Sequence, residues 1–81
     1  MPVETKRYYA GHQIAVRISA PNEESKLYVD GRVVDNTKNA FGRCALLRGA
    51  ISENDKTHIV EIYRYLPFTR PKIFVDGQHI Q

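Results

Sequence analysis

Short segments in which apolar and polar residues alternate occur along most of the chain. Ile14, Val16 and Ile18 are each followed by a small or polar residue, and this period of two is typical of a strand with one buried face. The pattern predicts strands at residues 3–9, 14–19, 27–29, 32–34, 59–66, 72–75 and 78–80. No segment has the longer period that predicts a helix with certainty.

The dipeptides Asp30-Gly31 and Asp76-Gly77 each follow a predicted strand. Asp-Gly suits the positive φ angles of a two-residue hairpin turn, so each predicts a strand that runs back beside the one before it. Other polar or proline-containing segments predict loops or turns at residues 20–25, 36–39, 52–56 and 67–71.

Residues 41–51 have two interpretations. Phe41, Cys44 and Leu47 would share one face of a short helix. Gly42 and Gly49 would each cost such a helix about 1 kcal/mol, and the surrounding strands favour a bent strand.

The two ends of the chain resemble each other. Sliding the sequence by 46 residues aligns residues 12–35 with 58–81 without a gap. The identical pairs are His12 and His58, Pro21 and Pro67, Lys26 and Lys72, Val29 and Val75, Asp30 and Asp76, and Gly31 and Gly77. Such similarity indicates an internal repeat, joined by a linker or central strand at 36–57; the alternative is two hairpins with convergent turn chemistry.

The chain has 81 residues, which suits one domain spanning 1–81 with a thin core. The predicted class is all-β, a small antiparallel β-sandwich or half-open barrel of six to eight short strands built from two related hairpin units. The predicted core residues are Ile14, Val16, Ile18, Leu27, Val29, Val60, Ile62, Ile73 and Val75.

The opposite side of these strands is rich in aromatic residues and arginine. The predicted partner-binding residues there are Arg17, Tyr28, Tyr63, Tyr65 and Phe74. By the same alternation, Glu61 is also predicted to point to this side. Tyrosine and arginine are enriched in protein interfaces, so the sequence predicts a non-catalytic binding or adaptor module that acts through protein association, including homodimer formation. The competing interpretation is that these aromatic pairs only stabilise a sheet, or that Phe41 and Leu46 cover them.

An alternative function is binding of single-stranded nucleic acid, either RNA or single-stranded DNA. Bases stack on exposed rings while cations contact phosphates, and the residues that would do so are Lys6, Arg7, Tyr8, Tyr9 and Arg64. The net charge is only +3, and no ribonucleoprotein octapeptide or GXXG loop is present.

The sequence predicts no enzyme, no cofactor and no metal site. His12, His58 and His79 lack the close spacing of zinc ligands, and His12 and His58 are expected to bond backbone groups at strand starts. Asp30 and Asp76 suit the turn backbone. Cys44 followed by Ala-Leu-Leu suits a small buried residue better than a nucleophile.

Cys44 is the single cysteine of the chain, so no internal disulfide can form and a reducing compartment is favoured. No apolar run is long enough for a signal peptide or a membrane span. The predicted location is the cytoplasm.

Overall fold

The computed structural model describes residues 3–19, 24–38, 45–64 and 70–81, and these residues form eight β-strands and no helix. The strands are β1 (Val3–Tyr9), β2 (His12–Ser19), β3 (Glu24–Val29), β4 (Arg32–Lys38), β5 (Leu47–Glu53), β6 (Lys56–Tyr63), β7 (Lys72–Val75) and β8 (Gln78–Ile80). They form two antiparallel sheets, a first of order β1-β2-β3-β4 and a second of order β5-β6-β7-β8. The all-β prediction is confirmed, and the arrangement is compatible with a small β-sandwich or open barrel.

Four two-residue turns join the hairpins. They are Ala10-Gly11, Asp30-Gly31, Asn54-Asp55 and Asp76-Gly77, and all eight residues have positive φ. Positive φ at both central positions is characteristic of type I′ turns, whose twist matches that of the flanking strands. The two predicted Asp-Gly hairpins are therefore present.

One hydrophobic core is shared by the inner faces of both sheets. Its buried members are Ile14, Val16, Ile18, Leu27, Leu47, Ile51, Val60, Ile62, Ile73 and Val75. Of the predicted core residues only Val29 is partly exposed, and it packs against the same cluster. Leu47 and Ile51 come from the central segment, where β5 confirms the strand interpretation for residues 47–51; Phe41, Gly42 and Cys44 lie outside the described residues.

Four predicted boundaries are wrong. The loop predicted at 20–25 is already strand β3 from Glu24, and the strand predicted at 59–66 begins at Lys56 and ends at Tyr63. The loop at 52–56 is only the turn Asn54-Asp55, because Glu53 and Lys56 already pair across the hairpin. The turn at 36–39 is strand as far as Lys38, because a bulge opposite Leu27 and Tyr28 lets β4 continue along β3. Asn and Asp tolerate positive φ, which allows so tight a turn between β5 and β6.

Strand β5 contacts the first sheet closely at Gly49. A Cβ atom there would lie 2.9 Å from Val34 Cγ2 and 3.1 Å from Leu27 Cδ2. Glycine is favoured there because a side chain would force Val34 or the backbone of the two sheets to shift. The β4 bulge also brings Asp35 to β5, where its carboxylate accepts a hydrogen bond from the Arg48 backbone N–H at 2.9 Å.

Residues 46 positions apart occupy equivalent places in the two sheets. Ile14 pairs with Val29 in the first sheet, and Val60 pairs with Val75 in the second. A common origin of the two units stays a prediction. Among the described residues, no helix is long and apolar enough to cross a membrane.

Candidate functional surfaces

Each sheet has an outer face formed by the residues that point away from the core. Because both inner faces contribute to one core, the two outer faces lie on opposite sides of the molecule. Strand pairing aligns their side chains in rows across each sheet. We call the outer face of the second sheet the aromatic face and that of the first sheet the basic face.

The main row of the aromatic face consists of Arg48, Glu61, Phe74 and His79. The Phe74 ring stacks on His79 with centroids 5.1 Å apart, and Tyr63 meets Phe74 edge to face, also at 5.1 Å. Arg48 Nη2 lies 3.3 Å from Glu61 Oε2. The face thus combines three adjoining rings with charges of both signs.

Ile59 adds an exposed apolar side chain to the aromatic face. It lies on β6 two residues before Glu61 and is 46% exposed. One interpretation of the sequence is that Leu46 covers this surface, but Leu46 packs against the core. Within the described residues, Leu46 therefore does not shield the rings.

The basic face is organised in four rows, of which Ser19, Glu24 and Lys38 form the one at the end of the sheet next to Arg17. Of the other rows, the first is Glu4, Arg17, Lys26 and Asn36; the second is Lys6, Ala15, Tyr28 and Val33; the third is Tyr8 and Gln13. A cleft of about 240 Å³ lies over Ala15 and is lined by Lys6, Arg17 and Tyr28 among others. Glu4 lies 3.4 Å from Lys6 Nζ and 3.8 Å from Arg17 Nε, in two exposed ion pairs.

The predicted partner-binding residues do not form one surface. Arg17 and Tyr28 lie on the basic face, whereas Tyr63 and Phe74 lie on the aromatic face. Tyr65 lies outside the described residues. Alternation along a strand separates inner from outer residues, but it does not reveal which residues share a sheet.

The predicted nucleic-acid residues are also divided. Lys6 and Tyr8 point outward on the basic face, and Tyr8 is 68% exposed. Arg7 and Tyr9 alternate with these residues along β1 and lie on its inner side, where Tyr9 packs against the core. Arg64 is only 2% exposed, because it holds the inner position that corresponds to Ile18 in the first sheet, so its expected exposure is wrong.

Each unit contains the same histidine–aspartate pair. His12 Nδ1 lies 2.6 Å from Asp30 Oδ2, and His58 Nδ1 lies 2.6 Å from Asp76 Oδ2. The second oxygen of each carboxylate accepts a backbone N–H at 2.9 Å, from Gln13 in one unit and Ile59 in the other. The expectation that these histidines bond backbone groups is wrong, since a carboxylate takes that place.

These contacts shift the pKa of His12, Asp30 and Asp76. The hydrogen bond to Asp30 raises the pKa of His12, and nearby Glu53 adds to the effect. The bond to His12 and the Gln13 N–H lower the pKa of Asp30, and the His58 and Ile59 contacts lower that of Asp76. For His12 and Asp30 a charged pair is favoured, because each partner stabilises the other's ionised form.

Both pairs lie near Tyr9. Its ring meets His58 edge to face with centroids 5.2 Å apart, and its backbone pairs with His12. Across the described residues, no group of three or more His, Cys, Asp or Glu side chains could hold a metal ion. Each pair connects the aspartate of an Asp-Gly turn to the histidine near the start of a strand, β2 in the first sheet and β6 in the second.

The sequence contains one signal of these pairs. His and Asp recur 18 residues apart in both units, so a conserved spacing within the alignment could have suggested contact. Comparisons with protein-family models, with curated proteins and with solved structures found no match.

Proposed function

We propose that the protein is a non-catalytic binding module that associates with a second copy of itself through the aromatic face. The observation that carries this proposal is the group of adjoining rings Tyr63, Phe74 and His79 beside exposed Ile59. Rings and apolar side chains of this kind are enriched in the centres of protein interfaces.

A second copy suits this face because its charges can complement themselves. In a twofold interface the same patch meets itself, so each charge needs an opposite charge on its own face. Arg48 and Glu61 supply one such pair of opposite charges, which can exchange partners with the same pair of a second copy, and Lys72 adds a further positive charge. A standard interface of about 800 Å² per partner would also remove roughly one seventh of the 5385 Å² surface, a useful gain for a small core.

The non-catalytic part of the proposal is supported by the surroundings of His12. Ser52 lines a cleft with His12 and Asp30, a set of residue types that can form a nucleophile, a base and an orienting acid. In the part of the chain that the structure describes, however, no hydrogen bond joins Ser52 to His12. A cytoplasmic location is part of the proposal and rests on the single cysteine.

Sedimentation velocity of the full chain at about 10 to 200 μM tests the proposal. The wild type is expected to show a concentration-dependent dimer at both 50 and 300 mM salt. Ile59→Lys is expected to give a monomer whose melting temperature equals that of the wild type at a concentration where the wild type is also monomeric, because Ile59 is exposed. Tyr63→Ala combined with Phe74→Ala is expected to abolish the dimer as well.

Tyr28→Ala is the matched control, since Tyr28 holds the place on the basic face that Phe74 holds on the aromatic face. It should leave the dimer intact. A wild type that stays monomeric at 200 μM, or a dimer that Ile59→Lys leaves unchanged, would overturn the proposal. Circular dichroism melts of every variant separate loss of association from loss of fold.

A further inference from the structure

Equivalent rows of the two sheets differ in residue type at two positions: Ala15 corresponds to Glu61, and Val33 corresponds to His79. In the second sheet, Glu61 lies between Arg48 and Phe74 and forms an ion pair with Arg48. In the first sheet, Ala15 takes that place between Lys6 and Tyr28. A cleft lies over Ala15, with Lys6 on one side and Tyr28 on the other; Glu4 also lines it and forms exposed ion pairs with Lys6 and Arg17.

The charge around this cleft favours an anionic ligand. Among the described residues, the outward-facing ionisable side chains of the first sheet are Lys6, Arg17, Lys26 and Lys38 against Glu4 and Glu24. Cations outnumber acids there by 4 − 2 = 2. In the second sheet, the place equivalent to Ala15 is occupied by the carboxylate of Glu61. A negatively charged group could take the position that a carboxylate occupies in the other sheet.

The rings of the basic face favour a ligand with several planar groups. Tyr28 borders the cleft, and Tyr8 lies one row and two strands away with 68% of its surface exposed. From the strand spacing and the rise per residue, their Cα atoms are roughly 12 Å apart. Two rings so placed can each stack on a different base of one strand, with Lys6 next to Tyr8 along β1, and Arg17 and Lys26 in the row adjoining Tyr28, available to contact phosphates.

We infer that the basic face binds single-stranded nucleic acid, with bases stacked on Tyr28 and Tyr8 and phosphates contacting Lys6, Arg17 and Lys26. The open cleft of about 240 Å³ is smaller than the roughly 300–1,000 Å³ typical of enclosed small-molecule sites. A cleft of this size suits one nucleotide of a longer strand. This site is separate from the aromatic face and does not depend on the self-association proposed there.

Fluorescence anisotropy of a labelled ten-nucleotide DNA or RNA strand, titrated with the full chain, tests the inference. Affinity is expected to fall as salt rises from 50 to 300 mM, because phosphate contacts release counterions. A strand of the same length without bases measures the charge contribution alone. It is expected to bind at least fivefold more weakly than the normal strand, since it cannot stack.

Tyr28→Leu keeps an apolar side chain and removes the ring, and it is expected to weaken binding about five- to 150-fold. Lys26→Gln is expected to weaken binding of all sequences and to lower the salt slope by about one. The repeat supplies matched controls on the opposite side, Phe74→Leu and Lys72→Gln, which should bind as the wild type does. A short strand engages one basic face, so dimer formation through the other face leaves this comparison valid.

Three results would overturn the inference. One is equal affinity for the strand without bases, which would make the face a general polyanion surface. Another is displacement of the strand by polyglutamate at equal charge concentration, which would favour an acidic protein. The third is an equal effect of Lys26→Gln and Lys72→Gln while both variants keep the wild-type melting temperature.

Discussion

Ala15 and Glu61 hold the same place in the two sheets, each between a cation on the edge strand and an aromatic residue on the third strand. The first sheet is therefore hollow where the second is filled. Together with the replacement of Arg17 by Tyr63 and of Val33 by His79 at equivalent positions, this difference gives the two related sheets surfaces of different chemistry, one basic with a cleft and the other aromatic.

Replacement of Ala15 with glutamate should reproduce the second sheet's ion pair without loss of fold. Ala15 itself is only 6% exposed, but it lines the open cleft, so the new carboxylate would extend into that cleft towards Lys6. Exposed ion pairs change stability by less than about 1 kcal/mol. Urea unfolding measures the change, and oligonucleotide binding should weaken. Val16→Glu is the control: Val16 is fully buried, and an unpaired charge there should unfold the domain. If Ala15→Glu unfolds the chain as Val16→Glu does, Ala15 does not face outward.

Gly49→Ala should destabilise the domain by about 1–3 kcal/mol, because its Cβ would lie 2.9 Å from Val34 Cγ2 and a packed interior resists overfilling. Urea unfolding gives the free energy. The cost should be smaller in a Val34→Ala background, where the contacted methyl group is absent. Equal costs in the two backgrounds would show that Val34 is not the residue that excludes a side chain.

Asp30→Asn should lower the pKa of His12 towards its ordinary value of 6.5, because the hydrogen bond to the Asp30 carboxylate is the largest cause of the rise. Asparagine also tolerates the positive φ at this turn. Proton NMR titration of the assigned His12 ring measures the change. Asp76→Asn, the equivalent change in the other unit, should leave His12 unaffected.

The same pair sets the sign of a pH effect on stability. A raised histidine pKa stabilises the fold below about pH 6.5 and loses that effect as pH rises through the folded-state pKa. A lowered aspartate pKa stabilises the fold above about pH 3.8 and loses that effect as pH falls. The wild type should therefore exceed Asp30→Asn in melting temperature most clearly between these values. A constant difference from pH 3 to 9 would contradict a charged pair.

The parts of this architecture that follow from local sequence were predictable. Alternation fixed the inner faces of β2 and β6, and the Asp-Gly dipeptides located two of the turns. The distribution of outer residues between the two faces depends on which strands pair, which is a long-range property of the fold. The sequence around Tyr28 or Tyr63 therefore does not indicate that the two residues lie on different sheets. The burial of Arg64 and the bulge in β4 likewise arise from tertiary packing and not from local propensity.

Thr5→Val should stabilise the domain by about 1 kcal/mol. Thr5 is 7% exposed, and among the described residues its hydroxyl has no hydrogen-bond partner. Replacement of an unsatisfied buried hydroxyl with a methyl group of similar shape removes a desolvation cost. Urea unfolding should show the gain, while the exposed Thr57→Val should be nearly neutral. A loss of stability at Thr5 would mean that the hydroxyl has a partner in solution.

Asp55→Gly should stabilise the turn between β5 and β6. The other three hairpin turns of the described chain have glycine at the second position, with φ of 81°, 83° and 79°. Asp55 takes that place with φ 63°, where an L-residue is strained and glycine is not. The relief is partly offset by the greater freedom of glycine in the unfolded chain, which leaves a net gain of about 0.5–1 kcal/mol in urea unfolding. Gly11→Asp tests the reverse change and should cost a similar amount. It is a cleaner control than Gly31 or Gly77, because the residue before each of those glycines belongs to a His–Asp pair. A gain at both positions would contradict turn strain as the cause.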